Sequence, residues 1–134
     1  MASPSPWSLM DAETGKTVVR DLFVADSFLT RLNGLQFQDK MNASEGLILI
    51  PCRSVHTFMM RFSLDLLMLD DQGTVLTVHR NVKPWQVIFG ARNIHAVVEV
   101  NGNTADVQAG TRLYAVAREE NTSPLPLSMN FLVR

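Results

Sequence analysis

The stretch from Pro51 to Asp65 gathers side chains capable of chemistry. Cys52, Ser54 and His56 alternate along it, and Asp65 follows. Side chains of an extended chain point alternately to opposite sides, so thiol, hydroxyl and imidazole would share one side. An imidazole beside a thiol can hold it as thiolate, and a carboxylate can orient the imidazole. Distance argues against direct action, because residues four apart on a strand are separated by about 13 Å. Metal ligation is a second use for the same residue types, but the sequence contains no CxxC, HxH or HExxH spacing. The third reading is structural: buried cysteine packs as a small hydrophobe, and a partly buried histidine finds a backbone partner.

Other residues stand out more weakly. Met59, Met60 and Met68, with Phe58 and Phe62, either line an adaptable apolar pocket or fill the core. Pro84-Trp85 reads as a loop, where the ring either contacts a ligand or anchors the loop. Arg92, His95 and Glu99 are polar groups near or within an apolar strand, and Glu99 should face away from Val98 and Val100. The candidate ligand-binding set is therefore Cys52, His56, Met60, Asp65, Trp85, Arg92 and Glu99. Trp85 and Met60 would supply apolar contact. Asp65, Glu99 and Arg92 would orient a ligand by charge-assisted hydrogen bonds. His56 and Cys52 would shape the floor. No catalytic residue, metal ligand or cofactor is assigned.

The elements that must position this set are mostly strands. A short hairpin is expected from Trp7 to Val24, turning at Thr14-Gly15. Asp26-Ser27 supplies helix N-cap chemistry, and Phe28, Leu29, Leu32 and Leu35 recur at helical spacing, predicting one short helix near 27–36. Strand-like segments follow at Gly46–Ile50, Ser54–Met60, Asp65–Leu69, Thr74–Asn81, Ile94–Val100 and Leu113–Ala117, with a last one at Leu127–Val133. Asp70-Asp71-Gln72-Gly73 is a turn. Pro84 to Asn93 reads as a long connection, and Thr104–Gln108 as one helical turn. Strands this close, joined mostly by turns, predict a mainly β chain, α+β at the margin. The architecture expected is an antiparallel β-sandwich or partly closed barrel. Residues 1–6 read as a flexible Ser/Pro-rich leader, and 7–134 as a single β-rich domain.

Composition narrows the function classes. Twelve Lys and Arg against thirteen Asp and Glu leave a net charge of −1, without the basic excess of a nucleic-acid reader. No Lys/Arg cluster suits an anionic membrane surface. One cysteine builds no internal disulfide, and the N-terminus lacks the charged and apolar regions of a signal peptide. A cytoplasmic monomer is expected, whose partner is a small molecule or a protein.

The same residues resemble the domain of unknown function 192 family, also catalogued as uncharacterised protein family 0127. The likeness runs from Leu29 to Leu113. It includes Arg31 with Gly34-Leu35, Glu45-Gly46-Leu47, and Cys52-x-Ser54-x-His56-Thr57-Phe58-x-Met60-x-Phe62 with Leu64-Asp65. It continues through Asp71-x-Gly73-x-Val75, Pro84-Trp85, Val98-Glu99-Val100 with Gly102, and Gly110. Gln36 and Ser63 stand where the family commonly has Met and Pro. The resemblance implies a compact β-rich domain with a short helix, and no activity. A non-enzymatic binding module is the leading expectation. A Cys52/His56-dependent hydrolase or transferase and a structural subunit of a larger assembly are the alternatives.

Overall fold

The computed structural model describes residues 7–25, 43–58, 60–118 and 124–134. The expected leader and the helix near 27–36 lie outside them. The fold is mainly β, as expected. Among the described residues nine strands form: β1 Trp7–Asp11, β2 Thr17–Ala25, β3 Glu45–Leu49, β4 Ser54–His56, β5 Leu64–Leu69, β6 Val75–Val82, β7 Val87–Phe89, β8 Ala96–Asn101 and β9 Leu113–Ala117. Seven of them make one curled sheet in the order β6-β5-β8-β3-β2-β1-β9, and β4 pairs with β7 in a separate two-stranded ribbon.

Sequence chemistry explains the local pairings. Gly15, in the left-handed region at φ 73°, donates its N–H to the Asp11 carbonyl and turns β1 into β2. At the β5–β6 turn, one Asp70 carboxylate oxygen accepts the N–H groups of Gln72 and Thr74. Gly73 there has φ 80°, and a Cβ would lie 2.9 Å from the Leu113 carbonyl oxygen, so only glycine fits without displacement. That contact also closes the sheet. Leu113 donates to the Gly73 carbonyl, Val75 donates to Thr111, and Thr74 bridges Arg112, bringing the β6 edge against the start of β9. The result is a half-barrel zipped at one end, the partly closed form among the expected architectures.

Two cores follow from strand alternation. The first draws on all seven strands of the sheet and lies inside the curl, with Leu9, Leu22, Ile48, Leu67, Leu69, Val98 and Leu113 at its centre. The second lies on the opposite face of the central strands. There Leu47, Leu64, Leu66, Met68 and Val97 meet Val55 of the ribbon, with Ile88 packed alongside. The ribbon is thus a partial second layer, held to the sheet by its inward side chains.

Several expectations are corrected. The sheet is not wholly antiparallel: β2 and β3 run parallel, in register from Asp21↔Glu45 to Ala25↔Leu49. Parallel neighbours cannot be joined by a tight hairpin turn, so this pair departs from a purely antiparallel meander. Leu127–Leu132 is a 3-10 helix rather than a strand, because Met129 and Leu132, three apart, are its buried contacts with the core. Residues 104–108 form no helical turn, since the Ala105 and Val107 carbonyls accept from the Arg80 guanidinium instead. Strand β4 stops at His56 because Thr57 turns the chain, its carbonyl accepting the Met60 N–H. Strand β7 forms inside the stretch read as a connection. A bulge opposite Met68 and Leu69 resets the phase of β6, so Val75 and Val78 both pack on the first core. Among the described residues no helix is long and apolar enough to cross a membrane.

Candidate functional site

The ribbon has two unlike faces. Its register pairs Ser54 with Phe89, Val55 with Ile88, and His56 with Val87. Val55 and Ile88 turn inward to the second core. Period-two alternation then sends Ser54, His56, Val87 and Phe89 outward, where all four are exposed. Beyond the end of β4, Phe58 and Trp85 extend the outward row. The His56 and Phe58 ring centroids are 5.0 Å apart, and Phe58 stacks on Trp85 at 5.7 Å with 26° between planes. Trp85 is 64 % exposed, Phe89 78 % and Phe58 39 %. The surface therefore presents three rings in contact with one another and a fourth aromatic alongside.

Trp85 is presented, not merely left over. Its φ is 67°, a left-handed conformation that costs a bulky residue roughly 1–3 kcal/mol. Thr57, wholly buried, holds it there. The Thr57 carbonyl accepts the Trp85 N–H at 3.0 Å. Its hydroxyl donates to the Lys83 carbonyl at 2.7 Å and accepts the Gln86 N–H at 2.8 Å. The Gln86 side-chain oxygen in turn accepts the Lys83 N–H. Replacing Thr57 with valine keeps the shape and removes the hydroxyl. We expect a loss of about 1–3 kcal/mol of stability, because the part-buried Gln86 N–H and Lys83 carbonyl both lose their hydroxyl partner. Trp85 fluorescence should become more mobile, and unchanged anisotropy with unchanged stability would refute the clamp.

The seven candidate residues separate into a surface group and buried groups. His56 and Trp85 share the outward row. Arg92 is exposed in the turn after β7 and makes no ion pair among the described residues. Cys52 is half-buried against the second core, and its thiol donates to the Ser54 carbonyl at 3.1 Å. No thiol–imidazole hydrogen bond is present among the described residues. Met60 and Met68 are buried in the second core, while Met59 lies outside the described residues.

Asp65 and Glu99 face opposite sides of the sheet. Asp65 is fully buried, and its carboxylate accepts three backbone N–H groups. Asn81 and Asn103 reach Oδ1 at 2.7 and 2.8 Å, and Ala105 reaches Oδ2 at 3.0 Å. Both asparagines are in the left-handed region, so Asp65 ties two special turns to β5. Glu99 lies cross-strand from Leu47 and Leu66, on the face of the second core. It is 7 % exposed and has no hydrogen-bond or ion-pair partner among the described residues. Burial alone pushes its carboxyl up to about 7.

Elsewhere a polar concavity of about 270 Å³ is lined by Asp11, Arg80, Asp106, Val107, Gln108 and Thr111. Its charges already have partners. Arg80 is bound to two carbonyls, Asp106 to Lys16, and the turn N–H of Glu13, then that of Thr14, holds the Asp11 carboxyl below the usual carboxylate range. Among the described residues no group of three or more His, Cys, Asp or Glu could hold a metal ion.

Sequence reasoning missed Phe89, Val87 and the clamp at Thr57. The alternating Trp85–Val87–Phe89 pattern around Ile88 was the available signal for a half-buried strand.

Fold and surface together define a small curled β domain bearing an exposed aromatic ribbon. The model of the DUF192 family, described as Uncharacterized ACR, matches residues 10–114, and the chain belongs to that family. No curated protein matches the chain. The fold is similar to that of a candidate transcription regulator from Sinorhizobium meliloti (TM-score 0.69, 23 % identity, covering 85 % of this chain and 98 % of that one). It is also similar to a protein of unknown function from Novosphingobium aromaticivorans (TM-score 0.70, 20 % identity, covering 84 % and 92 %).

Proposed function

We propose that this domain is a non-enzymatic binding module and that its site is the outward aromatic face of the β4–β7 ribbon. The carrying observation is the row His56, Phe58 and Trp85 in the open, Phe58 stacked on Trp85 and tilted against His56, with the exposed Phe89 on the same ribbon face. Exposed apolar surface of this kind marks interaction sites in soluble proteins. Flat rings offer large contact area with few rotors to freeze. The clamp on Trp85 supports the same reading, since a left-handed backbone is maintained to hold the ring outside the core.

Asp65 and Glu99 stand apart from this face, so they build and tune the domain beneath it. Thermal stability against sugars, nucleotides, peptides and divalent metals tests the reading. A ligand present at one hundred times its Kd should add about 2.7 kcal/mol, a shift of several degrees for a domain of this size. That shift should vanish in Trp85→Ala and in Phe89→Ala, each of which removes an exposed ring from the face. A ligand whose shift survives both substitutions would move the site elsewhere.

A further inference from the structure

Charge around the ribbon is one-sided. No Asp or Glu occurs from Gly46 to Leu64, nor from Gln72 to Val98, although acids and bases nearly balance over the whole chain. The ribbon is built from these two stretches. Arg53 directly precedes β4, and its carbonyl accepts the Gly90 N–H just past Phe89. Arg92 lies two residues further on. Lys83 sits at the other end, in the clamp that presents Trp85. All three cations are exposed, and none forms an ion pair among the described residues. Among the described residues, the aromatic face thus carries positive charge without an ion-pair partner at both ends.

We infer that this face receives an acidic, extended segment of a partner protein, its carboxylates meeting Arg53, Arg92 and Lys83 and its aromatic or proline side chains lying on Phe58, Trp85 and Phe89. This rests on the reading of the ribbon as the binding site. Guanidinium groups match carboxylates with paired hydrogen bonds. Cations flanking an apolar centre give the usual division of an interface into polar rim and aromatic anchors. A single-stranded nucleic acid fits less well. Phe58 already stacks on Trp85 at 5.7 Å and lies tilted against His56 at 5.0 Å, which leaves no slot for a base between them. Three cations on a chain of net charge −1 also fall short of the continuous basic track that such ligands follow.

A random glutamate–tyrosine copolymer serves as probe, with polyglutamate, a lysine–tyrosine copolymer and an oligothymidylate beside it. Binding to the immobilised full chain is measured at low and high salt. The glutamate–tyrosine copolymer should bind, weaken with salt, and lose at least about tenfold in affinity in Trp85→Ala and in the double variant Arg53→Glu/Arg92→Glu. Polyglutamate should bind more weakly, and the lysine copolymer not at all. Phe89→Ala, at a more exposed position, repeats the test should Trp85→Ala perturb the turn. The inference is overturned by absence of copolymer binding, by binding indifferent to these variants, or by tighter, Trp85-dependent binding of the oligothymidylate. If the copolymer fails while another ligand still loses its stabilising shift in Trp85→Ala, only the acidic partner is refuted. If both fail, the ribbon reading falls with it.

Discussion

Asp65→Ala should lower the stability of this domain by about 3–5 kcal/mol, as a shift in the denaturant midpoint at constant slope. The carboxylate is fully buried and satisfies three backbone N–H groups at 2.7–3.0 Å. Hydrogen bonds to a charged acceptor contribute about 1.5–3 kcal/mol each, and removing the acceptor takes the partner from all three part-buried donors. Two of those donors belong to Asn81 and Asn103, whose left-handed backbones would lose their tie to β5. Asp65→Asn should fall between wild type and alanine. Its amide oxygen can still accept from Asn81 and Asn103, while its NH2 would face the Ala105 N–H, donor against donor. An alanine variant as stable as wild type would show that water replaces the carboxylate. Asparagine equal to alanine would show that charge, not geometry, carries the effect.

Glu99 predicts a second large effect, one that depends on pH. An exposed glutamate in the unfolded chain titrates near its ordinary value of 4.5, whereas burial pushes the folded group up to about 7. Between these values the folded state binds more protons than the unfolded state. Stability should therefore be highest below about pH 4.5 as far as this group is concerned, fall as pH rises to about 7, and level off above. The total is about 3 kcal/mol, from 1.36 kcal/mol per unit. Glu99→Gln should abolish this slope and be more stable than wild type at pH 8, by less than the full amount because a buried amide is itself poorly solvated. Stability curves of wild type and variant that stay parallel from pH 4.5 to 8 would contradict a buried neutral carboxyl.

These two residues show what could be read early and what could not. Both stood out as polar side chains among apolar strands, and alternation alone predicted that Glu99 faces away from Val98 and Val100. Their environments were out of reach. The partners of Asp65 come from Asn81, Asn103 and Ala105, separated from it by 16, 38 and 40 residues. No local pattern encodes which backbone N–H groups a folded sheet delivers to one carboxylate. His56 and Cys52 looked like one row because both lie on alternate positions. In the structure β4 begins only at Ser54, so the thiol turns to the second core while the imidazole stays outside.

By itself the sequence determined the mainly β class, the Leu113–Ala117 strand, the hairpin at Thr14-Gly15, the turn at Gly73 and the family. Each follows from short-range physics: β-branched and aromatic runs favour extended chain, and glycine alone enters the left-handed turns at no steric cost. Tertiary structure decided the parallel pairing of β2 with β3, the short helix at Leu127–Leu132, the two faces of β8 and the exposure of Trp85 and Phe89. Those outcomes depend on which strand lies next to which, and on whether a second layer covers a face. A strand's alternation says only that it has two sides. Burial of one side and presentation of the other come from neighbours far along the chain.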